Sequence, residues 1–451
     1  MKKLLRFIPA GSVVLGLTTL LSYGVGFYRD RIFAITFGAT RALDAYNAAF
    51  LLPDLLFNIL IASGIAAAFV PILTELLKSD RKRATEYANT MLTGATAVMI
   101  LASGVMVIFA NTIGAWVAPG FSPHDQLLVA QLIRCLSLSP IIFGISNALG
   151  AILTVERRFL YYGLSPVLYN GGIVLGTIFL VPHFGIVGVA IGTMFGALLH
   201  MLIRLADVLY SGFKLRFGFK WSAPEFRKSI RLMIPKMFGH PVELATFWAF
   251  TVIASRLQPG SVAIMNFARN FESVPVSLIG ITVATTTFPL LARAITDHSL
   301  KQFKKILARS FWIILGGSVL SAIALFLIRE PLIRIAFSGG AFTHASIVRT
   351  ALTLGMFTLA IPMESLVQLM ARAFYATKNT LIPVIFSVIN FIVSTGMALY
   401  LVPRLDITAL PLAFFFGSGT ELILLLIFIP WRLRSVVRDT SYSFDPHIEG
   451  L

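Results

Sequence analysis

The sequence predicts an all-α polytopic membrane protein, and three observations carry that prediction. Hydrophobic residues make up 57% of the chain and charged residues only 13%, against about 25% charged in ordinary soluble domains. Apolar stretches of about 20 residues, enough to cross a bilayer core of about 30 Å, recur from Ile8 to Pro430. The Lys and Arg residues concentrate in alternate connections between these stretches. A soluble globular fold is therefore excluded.

The apolar stretches predict about twelve transmembrane helices. The predicted spans are 8–37, 42–77, 84–117, 126–154, 159–181, 185–211, 226–256, 260–296, 303–328, 345–376, 380–402 and 407–431. The first apolar stretch follows Met1, Lys2 and Lys3, as in a signal peptide. No small-residue cleavage site ends this stretch, so we interpret it as a span. Cys135 is the only cysteine, which excludes an intrachain disulfide.

The charge distribution predicts the orientation of these spans. Most of the 37 Lys and Arg residues fall on the side that also holds both termini, and this side is cytoplasmic by the positive-inside bias. The opposite side holds Arg41, Arg256, Arg329, Arg334, Arg349 and Arg404. The net charge of +17 thus reflects topology rather than nucleic-acid binding. The predicted location is the bacterial inner (cytoplasmic) membrane.

An internal repeat divides the chain into two halves. Leu180-Val181-Pro182, Ile186 and Phe195-Gly196 reappear 221 positions later as Leu401-Val402-Pro403, Ile407 and Phe416-Gly417. Each half holds an even number of predicted spans, so the repeat is parallel, and such transporters place substrate between their halves and expose it alternately to each side. The predicted organisation is a six-helix lobe at 1–211, a cytoplasmic linker at 212–225, a second six-helix lobe at 226–431 and a cytoplasmic tail at 432–451. A single-chain repeat predicts a monomer.

An ordered set of short motifs resembles one family. The motifs are Gly26-Phe27-Tyr28-Arg29-Asp30, Asp44-Ala45, Ala68-Phe69-Val70-Pro71-Ile72-Leu73, Ala118-Pro119-Gly120-Phe121 and Arg372-Ala373-Phe374-Tyr375-Ala376. In this order they are similar to the MviN/MurJ lipid II flippase family of the multidrug/oligosaccharidyl-lipid/polysaccharide exporter superfamily. The resemblance implies two lobes in a V around a cationic central cavity, and a cargo, lipid II, that moves from the cytoplasmic to the periplasmic leaflet for peptidoglycan synthesis.

The chain departs from the family pattern in several places. Tyr23 replaces an expected Arg, Phe57-Asn58 replaces a basic pair, and Ile61-Ala62-Ser63-Gly64 replaces an acidic segment. Family members usually have two more helices, which form a groove for the lipid tail, whereas this chain stops after the twelfth predicted span. Another lipid-linked oligosaccharide therefore stays open as the cargo.

Charged residues within spans cost at least about 2.5–3.5 kcal/mol on insertion scales, so they usually face a bundle interior or a cavity. We predict that Arg29 contacts the cargo, since its planar guanidinium binds phosphate oxygens in bidentate fashion. The alternative is a structural pair with Asp30 or Asp44. Asp44 is assigned to charge pairing or to gating of the outer mouth.

The second half supplies further candidates on the predicted eighth and tenth spans. Arg269 and Asn270 are predicted to line the substrate site, with Glu272 as a charge partner, because the family carries a functional Arg about one position away. Arg372 is predicted either to meet the cargo phosphate or to anchor at headgroup level.

Glu243 and Glu364 are candidates for ion coupling, since a lone carboxylate in hydrocarbon must be protonated or paired. Lys236 and His240 lie one to two turns from Glu243, which makes a local pair the alternative. Arg134, Arg204 and Glu421 have three open interpretations: ion coupling, an interhelical pair or a side chain that reaches the interface.

The motifs of enzymes and metal sites do not occur in the sequence: it has no nucleotide-binding Gly-Lys loop and no His-rich metal spacing. We therefore expect a transporter without cofactor, driven by the membrane potential or an ion gradient. Two alternatives remain: a cation-coupled multidrug exporter of the same superfold, and a membrane scaffold that recruits cell-wall or division proteins through basic cytoplasmic segments.

Overall fold

The computed structural model describes residues 10–59, 68–216, 218–239 and 241–442. These residues form helices and short connections, and within them the sole β-type pairing is an isolated bridge between Gly339 and Phe342. The helices are α1 Ala10–Phe37, α2 Arg41–Phe57, α3 Val70–Ser79, α4 Arg81–Ile108, α5 Ala110–Val117, α6 Pro123–Leu136, α7 Ser139–Val155, α8 Phe159–Phe179, α9 Val181–Phe184, α10 Ile186–Tyr210, α11 Pro224–Gly239, α12 Pro241–Ala254, α13 Ser261–Pro275, α14 Thr282–Thr296, α15 Leu300–Phe337, α16 His344–Phe357, α17 Ala360–Ala376, α18 Leu381–Leu405 and α19 Ala409–Tyr442. The all-α prediction is confirmed.

Membrane-spanning length and apolarity recur along the chain. Among the described residues, six helical stretches are long and apolar enough to cross a bilayer, or seven if the bent pair α16–α17 counts as one span. One of the six, Leu381–Ser435, holds both α18 and α19, which pack along each other. The predicted count of about twelve spans is not confirmed, and it stays a prediction.

Several stretches that the sequence presents as continuous are broken. The predicted fourth span is divided into α6 and α7, with Pro140 near the start of α7. The predicted tenth span is bent by 42° between α16 and α17, and a π-helical turn, Val276–Ile281, follows Pro275. Proline removes a backbone donor and displaces the preceding turn, so Pro140 and Pro275 explain the breaks beside them.

Local signals at helix starts also follow from the sequence. The side chain of Asp80 caps α4 by accepting hydrogen bonds from the backbone N–H of Lys82 at 2.9 Å and of Arg83 at 3.1 Å. Ser122 caps α6 in the same way, and Pro123 occupies its first turn. These caps satisfy helix-end donors that would otherwise lack partners.

The chain divides into two compact units. The first unit comprises Met1–Leu244 with the short segments Gln258–Ala263 and Phe337–Thr343, and the second comprises Ala245–Leu257, Ile264–Ala336 and His344–Leu451. The lobes 1–211 and 226–431 of the sequence analysis stay predictions. The predicted linker lies against α4, where Asn89 donates to the carbonyl of Lys214 at 3.0 Å and accepts from the N–H of Arg216 at 3.1 Å.

Each unit has its own apolar core. In the first unit, Phe69, Leu73, Leu149 and Ile152 are fully buried between α3, α4 and α7. In the second, a corresponding cluster with Phe303, Leu369, Phe374 and Leu425 lies between α14, α15, α17 and α19. Large apolar side chains such as Leu320 and Leu327 are exposed instead, as expected for surfaces that face lipid.

Glycines allow two helices of the first unit to approach closely. Gly172 and Gly176 on α8 lie directly against Gly196 and Gly192 on α10, where an added Cβ would collide with the opposing backbone. Small-residue contacts of this kind are typical of helix pairs within membranes. This close packing of α8 against α10 positions the polar residues of α8, Ser165 and Asn170.

Candidate functional site

Arg29 forms a polar cluster inside the first unit. Its guanidinium donates to Asp30 Oδ1 from Nε at 3.0 Å and from Nη2 at 2.7 Å, and Nη1 donates to Asn170 Oδ1 at 2.9 Å. The side chain of Arg29 is 26% exposed and that of Asp30 is 11% exposed. Phe33 lies beside the guanidinium, with its ring centre 5.9 Å away. Arg29 thus has the pairing with Asp30 that the sequence offered as an alternative, and it also remains accessible.

Asp44 binds a loop rather than Arg29. Its carboxylate accepts hydrogen bonds from the N–H of Gly260 at 2.7 Å and of Ala263 at 2.8 Å, at the start of α13. Arg41 lies 3.6 Å from the same carboxylate, and the Asp44 side chain is completely buried. A carboxylate at a helix N-terminus interacts favourably with the exposed donors and with the helix dipole. Asp44 therefore holds the segment 258–263 within the first unit.

The segment 337–343 is held in the first unit beside it. Ala341 N–H donates to the carbonyl of Ile35 at 2.8 Å. Gly340, with φ of +55°, lies so close to Ile35 that a Cβ would collide with its carbonyl. Gly260 has φ of +89° and makes an equally close approach to Ala39. Only glycine combines that backbone conformation with that proximity.

Arg269 forms a second cluster, in the second unit. Nη1 lies 3.5 Å from Glu272 Oε2 and Nη2 lies 3.7 Å from Glu364 Oε1. The guanidinium carbon is 3.5 Å from the ring centre of Phe247 and 5.2 Å from that of Phe414. Arg269 is 19% exposed and Glu272 is fully buried at its side chain. Among the described residues, the cluster therefore combines two carboxylates, one cation and two rings with little access to water.

The other second-unit candidates differ in their surroundings. Asn270 is exposed, and its carbonyl accepts a hydrogen bond from Ser273 at 3.0 Å. Arg372 is partly buried on α17 and donates from Nη1 to the carbonyl oxygen and to Oε1 of Gln368, both at 2.9 Å. Within the described part of the chain, Arg372 has hydrogen-bond partners that are all neutral.

Of the two candidates for ion coupling, the structure describes the side chain of Glu364 but not that of Glu243. Glu364 contacts Arg269, so it belongs to that charge cluster. The side chains of Glu243 and Lys236, and the whole of His240, lie outside the described residues, as does Ile61–Gly64.

Asn170, which no sequence motif indicated, links Arg29 to α8. Besides accepting from Arg29, it donates from Nδ2 to the carbonyl of Pro166 at 3.1 Å. The two partners are 141 residues apart, so spacing along the chain could not have paired them. The available signal was an asparagine in an apolar helix one turn after a proline.

Glu421 was recognised only as one of several charged residues within spans. Its Oε1 accepts from Ser387 Oγ and its Oε2 from Asn390 Nδ2, both at 2.7 Å, and Ser394 donates to Asn390 at 2.8 Å. The residue 221 positions earlier is His200. The repeat therefore places a titratable group at the same point of each half, and that coincidence was visible in the sequence.

Arg204 is an interhelical polar residue, as one interpretation allowed. It is buried, donates to Ser165 Oγ at 2.7 Å and to the carbonyl of Ser146 at 3.0 Å, and stacks on Tyr162. Ser165 in turn donates to the Tyr162 carbonyl at 2.7 Å, the acceptor that Pro166 leaves without its helical donor. Arg204 is thus linked through Ser165 to the turn of α8 that contains Pro166.

Comparisons with known proteins agree with this fold. The chain is 25% identical over 419 residues to the probable lipid II flippase MurJ of Buchnera aphidicola, covering 92% of this chain and 82% of that protein. It is 26% identical over 437 residues to the lipid II flippase MurJ of Burkholderia cenocepacia, covering 94% and 83%.

Solved structures give the same fold. A lipid II flippase MurJ in an inward closed conformation superposes with a TM-score of 0.80 at 22% identity, covering 95% of this chain and 91% of that one. An inward-facing multidrug resistance MATE family transporter of the MOP superfamily gives 0.78 at 15% identity, covering 95% and 99%. These likenesses show that the chain shares the fold of those two proteins.

The family model described as lipid II flippase MurJ matches residues 33–442. The match includes Asp44, Asn170, Arg269 and Arg372. Because it covers most of the chain, this multi-pass membrane protein belongs to the MurJ family.

Proposed function

We propose that this protein is a transporter that moves lipid II from the cytoplasmic to the periplasmic leaflet of the bacterial inner membrane. The observation that carries the proposal is the family match over residues 33–442. The curated relatives of Buchnera and Burkholderia bear the same functional name. Arginines that are partly accessible occur in both compact units, as recognition of a pyrophosphate requires.

Of the three candidates Arg29, Arg269 and Arg372, Arg372 is the arginine whose surroundings in this structure best suit a phosphate. Its partners are the neutral oxygens of Gln368, so an incoming pyrophosphate meets no competing carboxylate there. Arg29 must exchange Asp30 for the cargo, and Arg269 must exchange two carboxylates. We assign first contact with the pyrophosphate to Arg372 and subsequent contact to Arg29.

Complementation tests the proposal. The chain is expressed in cells depleted of their own lipid II flippase, and wild type is compared with Arg29→Ala and Arg372→Ala at equal membrane abundance. Wild type is expected to restore growth, and each variant to lose most of the rescue, because a hydrogen bond to a charged group contributes about 1.5–3 kcal/mol, or tenfold and more in affinity.

Arg309→Ala is the matched control, because Arg309 is exposed and makes no ion pair or side-chain hydrogen bond in the described structure. It should rescue like wild type. Failure of wild type to rescue, together with no binding of lipid II by the purified protein, would remove lipid II as the cargo. Full rescue by Arg29→Ala and Arg372→Ala would contradict the cargo roles and would favour a scaffold.

Asp44 is proposed to control the outer side of the transport path. Its two backbone hydrogen bonds hold segment 258–263, which the charge distribution predicts to lie on the periplasmic side. Asp44→Ala should therefore speed amide hydrogen exchange at Gly260 and Ala263, while Arg41→Ala should change it less, since it leaves both acceptors in place. Unchanged exchange in Asp44→Ala would exclude this role.

The proposed orientation has both termini in the cytoplasm, and the proposed energy source is the membrane potential or an ion gradient. Moving one charge across 100 mV is worth about 2.3 kcal/mol. Glu364, and Glu421 with its hydrogen bonds from Ser387 and Asn390, are the described candidates for coupling. Ionophores that collapse each gradient separately in reconstituted vesicles distinguish the two sources.

A second candidate function is export of cationic drugs. It is favoured by the Arg269 cluster, whose two carboxylates and two aromatic rings suit a cation, and by the likeness to a MATE family fold. Transport of a cationic dye by vesicles that do not move lipid II would establish it.

A further inference from the structure

An apolar groove lies on the surface of the second unit. It has a volume of about 690 Å³ and is formed by α15, α17 and α19, with Leu307, Phe311, Met370, Leu426 and Ile429 among its lining residues. This volume lies within the usual range of small-molecule sites, about 300–1,000 Å³. The groove is separate from the Arg269 cluster, whose residues are not part of its lining.

Two basic side chains mark one end of the groove. Lys304 near the start of α15 and Arg434 on α19 both line it and are both exposed. Among the described residues, neither makes an ion pair or a side-chain hydrogen bond. Arg432, two positions before Arg434, is instead engaged by the carbonyl and hydroxyl of Thr377. The cations at the groove are thus available, while their neighbour is used within the fold.

The surroundings of the groove are those of a lipid-facing surface. Only 17% of the apolar segment of α15 is buried within the protein, the smallest share among the six stretches that are long and apolar enough to cross a bilayer. Trp312 lines the groove and is 67% exposed, and Trp431 lies close by on α19 and is also exposed. Exposed tryptophans concentrate where hydrocarbon meets headgroups.

We propose that this groove binds one acidic phospholipid of the bilayer, with its phosphate between Lys304 and Arg434 and an acyl chain along Leu307, Met370 and Ile429. Charge complementarity selects this occupant. The groove offers an apolar channel and, at one end, two cations, which matches a lipid tail joined to an anionic headgroup. The charge distribution of the whole sequence places that end at the cytoplasmic leaflet, where acidic lipids concentrate.

A second apolar groove, in the first unit, differs from the groove at α15 in the charge of its lining. It has a volume of about 600 Å³ and lies against α2, α4 and α5, with Leu101, Val105 and Trp116 among its lining residues. Its lining, as far as the described residues show it, contains no charged side chain. A lipid tail fits either groove, but only the groove at Lys304 and Arg434 can distinguish an acidic headgroup from a neutral one.

The test uses the full chain in lipid nanodiscs and two probes, phosphatidylglycerol and phosphatidylcholine. Native mass spectrometry counts the lipids retained by wild type and by Lys304→Gln/Arg434→Gln. Each basic residue near an acidic surface contributes roughly fivefold in affinity, so the double variant is expected to bind phosphatidylglycerol about 30-fold more weakly. Its binding of phosphatidylcholine should not change.

Matched controls come from the same helix and from the second groove. Lys301→Gln/Lys305→Gln removes two exposed charges beside the groove and should keep phosphatidylglycerol bound. Leu307→Trp fills the groove and should reduce retention of phosphatidylglycerol, whereas Leu101→Trp in the second groove should not. A photoactivatable phosphatidylglycerol should label the peptide around Leu307.

Three results would overturn the proposal. These are equal retention of both lipids by wild type, an equal loss in Lys301→Gln/Lys305→Gln, and labelling confined to the peptide around Leu101. None of the three depends on whether lipid II is the cargo, because no variant touches Arg29, Arg269 or Arg372.

Discussion

Among the described residues, Arg29 in the first unit has one carboxylate, one amide and one aromatic ring as partners, whereas Arg269 in the second has two carboxylates and two aromatic rings. With all groups ionised, the Arg29–Asp30 pair is neutral, and the described members of the Arg269 cluster, one cation and two carboxylates, sum to a net negative charge. An anionic cargo has to displace one carboxylate at Arg29 but two at Arg269. The same residue type, predicted for the same role in each half, therefore meets different electrostatic conditions.

The difference also predicts how each cluster responds when its cation is lost. Glu272 is fully buried at its side chain, whereas Asp30 and Glu364 are each 11% exposed, and Arg29 is 26% exposed against 19% for Arg269. Burial makes a carboxylate depend on its cation, because water cannot replace the lost interaction. Arg269 is expected to matter mainly for stability, and Arg29 mainly for the cargo.

The largest effect is expected from Arg269→Ala. Removing one partner from a buried ion pair costs about 3–5 kcal/mol, so this variant should lower the midpoint of thermal unfolding in detergent more than Arg29→Ala does. Fluorescence-detected size-exclusion chromatography after heating measures the midpoint. Arg309→Ala, which removes an exposed arginine, should leave it unchanged.

A double variant separates charge from packing. Arg269→Ala/Glu364→Gln removes one of the two carboxylates and should recover part of the lost stability if charge imbalance is the cause. If Arg269→Ala unfolds at the wild-type midpoint, or if the double variant is no more stable than the single one, the electrostatic contrast between the two clusters is wrong. In that case the rings of Phe247 and Phe414 dominate the site.

Features that depend on residues close together in the chain could be predicted from the sequence, and features that depend on distant residues could not. The membrane class and the helical fold follow from apolar length alone, and the Arg29–Asp30 pair joins neighbours in the chain. The number of spans does not follow, because bends such as the 42° break between α16 and α17 interrupt stretches that are continuously apolar. The sequence also predicted Glu272 as the charge partner of Arg269, and that pair is present, but it did not indicate Glu364 beside Arg269 or Gln368 beside Arg372.

Contacts between distant residues account for the rest of what the sequence could not show. Asn170 meets Arg29 across 141 positions, and Glu364 meets Arg269 across two helices. Asp44 binds Gly260, which lies 216 positions later in the chain. Such pairings depend on how helices pack, and one sequence contains no signal for them beyond a polar residue in an apolar helix.

The smallest expected effect belongs to Asn170, which allows the most direct test of the comparison. Asn170→Ala removes the amide that holds Arg29 Nη1 and should cost only about 0.5–1.5 kcal/mol, the usual net value of one hydrogen bond. Lipid II binding and rescue of flippase-depleted cells should fall modestly, because Asp30 still orients the guanidinium.

Asn170→Asp keeps nearly the same shape but gives Arg29 a second carboxylate, as Arg269 has. If competition with carboxylates decides whether an arginine can take the pyrophosphate, the Asp variant should bind lipid II more weakly than the Ala variant, although it holds Arg29 more firmly. Equal or better binding by Asn170→Asp would mean that Arg29 acts by supporting α1 against α8, and that the cargo phosphate is held elsewhere, with Arg372 the first residue to examine.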